Sequence, residues 1–144
     1  MQFLEKLKPL GLLILRVALG ASFIFHGYPK LSDPARMVRA FSSMGFPGYF
    51  SYISGVLEVF GGGLLIAGLF TRGVALLLAI EMGIVLARVK LPSAGIYEFG
   101  KYETELLLGS MAVALVTTGA GLISFDAFTF ESGRKSPKKS KAKE

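Results

Sequence analysis

Four long apolar stretches fill most of this chain, and each carries an ionisable residue within it or at its edge. They cover residues 10–25, 52–70, 74–89 and 106–123. At about 1.5 Å of rise per helical residue, each approaches the length that crosses a hydrocarbon core of about 30 Å. A soluble helix of that length would show a polar face, and these stretches do not. They predict four membrane-spanning helices in an all-α integral membrane bundle. Arg16, His26, Glu58, Glu81, Arg88 and Glu105 lie in or beside the spans. A charge in lipid costs about 3 kcal/mol or more unless it is paired or faces water, so the bundle is expected to have a polar interior.

Composition agrees where it bears on this point. The 144 residues are 52% hydrophobic with a mean hydropathy of +0.57. The 18 glycines suit helices that pack closely in a membrane. There is no tryptophan, so interfacial aromatic anchors must come from Phe and Tyr, such as Tyr28, Tyr49, Tyr52 and Tyr97. Cysteine is absent, which excludes disulfides, thiol catalysis and a cysteine metal site. A single histidine cannot hold a haem on both faces, and no phosphate loop or dinucleotide fingerprint is present. No metal and no intrinsic cofactor are expected. Any redox chemistry needs a bound or diffusible substrate or a partner subunit.

Lys6 and Lys8 ahead of the first apolar run resemble the start of a signal peptide. The run leads instead into His26-Gly27-Tyr28-Pro29-Lys30 without a small-residue cleavage site, so the first helix is expected to be retained. With both termini cytoplasmic, nine basic residues lie inside: Lys6, Lys8, Arg72 and six in the tail. Lys30, Arg36, Arg39, Arg88, Lys90 and Lys101 lie outside. The excess of inside charge favours this orientation, with the tail deciding it.

The connections differ in character. Phe70-Thr71-Arg72-Gly73 is a tight turn joining the second and third spans. In the first loop, Ser32 or Asp33 can cap and Pro34 suits a first helical turn. Met37, Val38, Phe41 and Met44 then share one face before Gly45 stops the helix. This predicts a short amphipathic helix, which is either a plain connector, the simpler reading, or a lid over the bundle mouth. Residues 90–102 read as irregular. Residues 1–130 form the expected membrane domain. Residues 131–144 carry six basic and two acidic residues and read as a disordered polybasic tail drawn to anionic lipid. The tail lacks interleaved aromatics, so nucleic acid is not an expected partner.

Helical spacing sorts the polar residues onto faces. Arg16, Gly20, Phe23 and Gly27 share one face, and Ser54, Glu58, Gly61 and Gly68 another. Glu105 shares a stripe with Gly109 and Ala112, and Glu81 shares one with Ile84 and Arg88. Small residues mark where helices approach, so these charges are expected to point inward. Depth along the spans groups His26, Glu58, Arg88 and Glu105 as an outward-facing cluster. Arg16 is expected to pair with Glu81, with Glu58 as the other option. A carboxylate and a histidine beside cations in a partly dry cavity can move protons, which quinone reduction requires. A plain ion-paired network that fixes helix register is the structural alternative.

Three regions then carry a family resemblance. Leu15-Arg16-Val17-Ala18-Leu19-Gly20, running to Phe25-His26-Gly27-Tyr28-Pro29-Lys30-Leu31, resembles the first-helix motif of the DoxX family. Gly55-Val56-Leu57-Glu58-Val59-Phe60-Gly61-Gly62-Gly63 and Gly68-Leu69-Phe70-Thr71-Arg72 resemble its second helix. Tyr102-Glu103-Thr104-Glu105-Leu106, with Gly119-Ala120-Gly121 and Ser124-Phe125-Asp126, is similar to its closing element. The resemblance implies a four-helix protein of the bacterial or archaeal inner membrane. It also implies a link to quinol oxidase, thiosulfate:quinone oxidoreduction, or quinone, catechol and thiol stress. Arg16, His26, Lys30, Glu58 and Glu105 match the family's polar pattern. Lys90 stands where many members carry a histidine before a Leu-Pro pair.

The resemblance and the residues together give a quinone-interacting subunit of a membrane oxidoreductase or oxidative-stress system, with quinone as bound substrate. Glu58, Glu105 and His26 would be its proton-handling groups, and Arg16, Arg88 and Lys30 its headgroup-binding ones. Two alternatives stay open: a non-catalytic anchor for a partner protein, and a solute or proton pathway, which would need a homo-oligomer. The expected partners are the lipid bilayer, a subunit carrying the redox centre, and further copies of the chain.

Overall fold

The computed structural model describes residues 2–131, and among them every regular element is helical. The chain runs through α1 (Gln2–Ser32), α2 (Pro34–Ser43), α3 (Phe50–Ala67) and α4 (Thr71–Val85). A π turn (Leu86–Lys90), α5 (Leu91–Ala94), a 3-10 turn (Phe99–Lys101) and α6 (Glu103–Thr118) follow, and a second π turn covers Ala127–Glu131. The basic tail lies outside the described residues from 132 onward.

Local chemistry sets the boundaries. Asp33 caps α2 by accepting from the Arg36 N–H at 3.2 Å, Pro34 fills its first turn, and Gly45 at φ +83° ends it. α3 stops at Gly68, φ +71°, where the Gly68 and Leu69 N–H groups return to the Leu65 and Leu64 carbonyls. α4 gives way to a π turn just ahead of Pro92. Proline has no N–H and its ring crowds the carbonyl four residues back, and a wider turn relieves both.

Four crossing helices were expected, and the described helices divide two and two. Glu5–Ser32 and Phe50–Ala67 are long and apolar enough to cross a membrane. α4 and α6, of 15 and 16 residues, span only about 22 and 24 Å as regular helix. The π turn shortens α4, and Gly119 at φ +76° ends α6 ahead of the expected boundary. α1 is longer than its apolar run, at 31 residues. Residues 90–102, read as irregular, hold α5 and the 3-10 turn.

α1 packs on α3, α3 on α4, α4 on α6, and α6 back on α1. Leu19, Phe23, Leu65, Leu78 and Leu115 fill the centre, while Ile14, Phe25, Phe60, Leu77 and Val113 face outward. The α1–α3 contact depends on paired glycines. A Cβ on Gly20 would stand 2.5 Å from the Gly62 carbonyl oxygen, and one on Gly62 the same distance from that of Gly20. One contact further along, Gly27 faces Gly55 and Glu58. Close approach of this kind is what small residues provide between helices in lipid.

One end of the molecule is tied by Arg16 and Asp126. The Arg16 guanidinium is 1% exposed and donates to Leu65 O at 3.1 Å, Ala120 O at 2.5 Å, Ile123 O at 2.9 Å and Ile66 O at 3.4 Å. A cation at the end of α3 adds hydrogen bonds to the carbonyls where the helix stops and suits the negative end of its dipole. The expected pairing of Arg16 with Glu81 or Glu58 is therefore corrected: its partners are backbone carbonyls. Asp126 accepts from the Phe70 and Thr71 N–H groups at 2.7 and 2.9 Å, capping α4 from far along the chain.

Candidate functional site

At the opposite end, the second half of α1, the start of α3, the second half of α4 and the start of α6 surround a cavity of about 650 Å³. Its wall is mostly apolar and includes Met37, Ala40, Phe41 and Met44 of α2. α2 therefore roofs the cavity with its apolar face, and Arg36 and Arg39 point away exposed. Of the two roles open for this helix, the placement is that of a lid.

The polar groups form two connected pairs. Lys30 Nζ meets Glu58 Oε2 at 2.5 Å and donates to Ser54 Oγ at 2.7 Å. Ser54 in turn donates to Glu81 Oε1. Across the cavity, Lys90 Nζ meets Glu105 Oε1 at 2.9 Å and donates to the Lys101 carbonyl at 3.2 Å. Glu58 is 1% exposed, so its charge is stabilised by Lys30 and little by water. The Lys30 ammonium also lies 5.8 Å from the centre of the Phe41 ring, a cation–π contact with the lid.

Sequence builds this geometry locally. Gly27, one turn before Lys30, lets α1 close on α3 at Glu58. Ser54 and Glu58 share a face at i,i+4. The π turn carries Lys90 round to Glu105, the first-turn acid of α6. π turns often sit at functional sites because they re-aim side chains.

Of the residues singled out from sequence, His26, Lys30, Glu58 and Glu105 line the cavity. His26 is exposed at its edge. Arg88 is exposed and is not among the lining residues, because the π turn breaks the two-turn spacing that would have set it above Glu81. Arg16 is held at the far end by the carbonyls above. Three residues were not proposed for the site: Ser54, Glu81 and Lys90. Glu81 carried a signal, a carboxyl deep in an apolar run, but it was assigned to Arg16.

Each ammonium has three N–H donors. Lys30 uses one on Glu58 and one on Ser54, and Lys90 uses one on Glu105 and one on Lys101, which leaves each a third. Glu81 Oε2 and Glu105 Oε2 are buried without a hydrogen-bond partner among the described residues. The cavity thus joins unused donors and unused acceptors in an apolar enclosure.

Comparison with known proteins gives a consistent picture. The DoxX family model matches residues 11–91. A Bacillus subtilis (strain 168) protein named "Putative oxidoreductase CatD" is 35% identical over 124 residues, covering 85% of this chain and 89% of that protein. An "Uncharacterized protein" of Haemophilus influenzae (strain ATCC 51907 / DSM 11121 / KW20 / Rd) is 34% identical over 130 residues, covering 88% and 96%. No solved structure matches. The matched family segment holds Lys30, Ser54, Glu58, Glu81 and Lys90, and Glu105 lies beyond it.

Proposed function

The chain belongs to the DoxX family, and on that premise we propose that this membrane protein binds a quinone headgroup in the cavity around Lys30 and Glu58. In this reading it is a multi-pass, four-helix subunit of a bacterial or archaeal inner-membrane oxidoreductase, with both termini cytoplasmic. The name of the Bacillus relative, an oxidoreductase, points the same way.

The observation that carries the reading is the pairing of unused donors and acceptors. Lys30 and Lys90 each keep one N–H, and Glu81 and Glu105 each keep one buried oxygen. A quinone presents carbonyl acceptors, and its two-electron, two-proton reduction turns them into hydroxyl donors. A site that holds both kinds of partner suits both forms. Ser54 accepts from Lys30 and donates to Glu81, so it links the ion pair to a second carboxyl. Such a chain holds and passes protons. The chain contains no cysteine and one histidine, and the electrons are assigned to a partner subunit carrying the redox centre.

A second reading, a non-catalytic anchor for that partner, is favoured by one feature. Ile96 and Tyr97, in the loop beyond the cavity, are 70% and 98% exposed. Two adjoining side chains this exposed offer a partner a contact surface.

One experiment separates the two. The protein is purified in mild detergent, and everything retained is identified by mass spectrometry for wild type and Glu58→Gln. Stoichiometric quinone on wild type, lost from a folded variant, is the expected result. A protein partner retained without quinone by both would replace the quinone reading with the anchor.

A further inference from the structure

The cavity is closed toward α2 and thinly walled toward the side. Ile53 of α3 and Leu77, Ile80 and Ile84 of α4 all line it. The same four side chains remain 54%, 53%, 51% and 47% exposed. Side chains that line a cavity and stay half exposed mark its rim, a side on which no further layer of protein covers it. The three α4 residues fall at i, i+3 and i+7, one stripe, and Glu81 beside Ile80 turns inward to Ser54. Above, the apolar face of α2 covers the cavity, and the Phe41 ring sits over the Lys30 ammonium.

The polarity of the enclosure is also one-sided. Lys30, Ser54, Glu58 and Glu81 form a connected polar strip, whereas the rim is wholly aliphatic. A ligand that fills both parts has a polar ring at one end and a hydrocarbon chain at the other. Aliphatic rim and lipid are equally apolar, so a chain crossing between them exposes nothing to water.

We infer that the gap framed by Ile53, Leu77, Ile80 and Ile84 is a lateral portal, through which an amphiphile drawn from the bilayer places its polar ring at Lys30 while its alkyl chain stays in lipid. This rests on the quinone reading for the nature of the ring, and adds that the ligand is a long-chain, membrane-dissolved one that does not enter from water. The portal holds the chain, and the α2 lid keeps the ring dry.

The test uses the full chain in lipid nanodiscs and a benzoquinone bearing a decyl chain with a diazirine a few carbons from the ring. After irradiation the labelled residues are mapped by peptide mass spectrometry, with and without excess unmodified decyl-benzoquinone. Saturable labelling of Ile53, Leu77, Ile80 or Ile84, lost on competition, is the expected result. Saturable labelling confined to α2 and residues 95–101 would overturn the portal and leave the quinone site standing. Labelling that spreads over all outward-facing helices and resists competition would overturn both.

Discussion

Gly27 of α1 faces Glu58 of α3 so closely that a Cβ at Gly27 would stand 2.7 Å from the Cβ of Glu58. The missing side chain is what allows Lys30, one turn on, to reach the Glu58 carboxylate at 2.5 Å. The position of the charge pair is therefore set by a packing contact.

Gly27→Ala should overpack this contact, at about 1–3 kcal/mol, and part Lys30 from Glu58. Gly63, on α3 with Glu58 and with nothing within 4 Å of an added Cβ, serves as the control. Thermal unfolding in detergent should show a lowered Tm for Gly27→Ala and an unchanged or raised one for Gly63→Ala. Equal Tm values for the two variants would remove the packing argument.

Arg16 acts at the far end of the molecule. Arg16→Lys keeps the charge but cannot reach four carbonyls with one ammonium, so it should cost about 2 kcal/mol or more. Quinone binding per folded molecule should be unaffected, because Arg16 is not among the residues lining the cavity. A variant of normal stability that fails to bind quinone would return Arg16 to the site.

Asp126 accepts from the N–H groups of Phe70 and Thr71, where α4 begins, from 56 and 55 residues away in sequence. Asp126→Ala should cost about 1 kcal/mol, with Asp126→Asn closer to wild type, since an amide oxygen still caps. Hydrogen exchange should report the loss as faster exchange in the first turn of α4. Unchanged protection there would contradict the capping role.

Lys90 and Glu105 should behave as a unit. Lys90→Met leaves the largely buried Glu105 carboxylate without its cation, at about 1–3 kcal/mol given that the Lys90 side chain is 34% exposed. Lys90→Met combined with Glu105→Gln should regain most of that loss. A double variant as unstable as the two single losses added together would show that the residues do not interact.

How far the fold was legible depended on whether the deciding contact was local. The face shared by Arg16, Gly20, Phe23 and Gly27 follows from helical period alone, and all four are buried. The limits of α2 were likewise visible in Asp33, Pro34 and Gly45. On α3 the stripe of Ser54, Glu58, Gly61 and Gly68 is buried as its spacing predicts, but a second stripe beside it is buried too. Gly55 and Gly62 meet α1, while Gly61 meets Val74 and Leu78 of α4, because α3 packs on both sides. The partners of Arg16 were out of reach, since they are carbonyls brought by a chain that returns some 104 residues later. Arg88 and Lys90 exchanged roles across the π turn that precedes Pro92, a shift that regular helical spacing does not contain. Glu81 met Ser54 through the relative rotation of two helices, which tertiary packing sets.

The central claim is that a quinone ring lies against Lys30. Solid-state NMR tests it directly, using protein labelled with 15N at the lysine side chains, in bilayers with a quinone labelled with 13C at its ring carbonyls. Dipolar dephasing between a lysine Nζ and a quinone carbonyl is the predicted result, with the signal lost in Lys30→Met. Quinone that binds stoichiometrically but shows no lysine contact, or the same contact after Lys30→Met, would contradict the account.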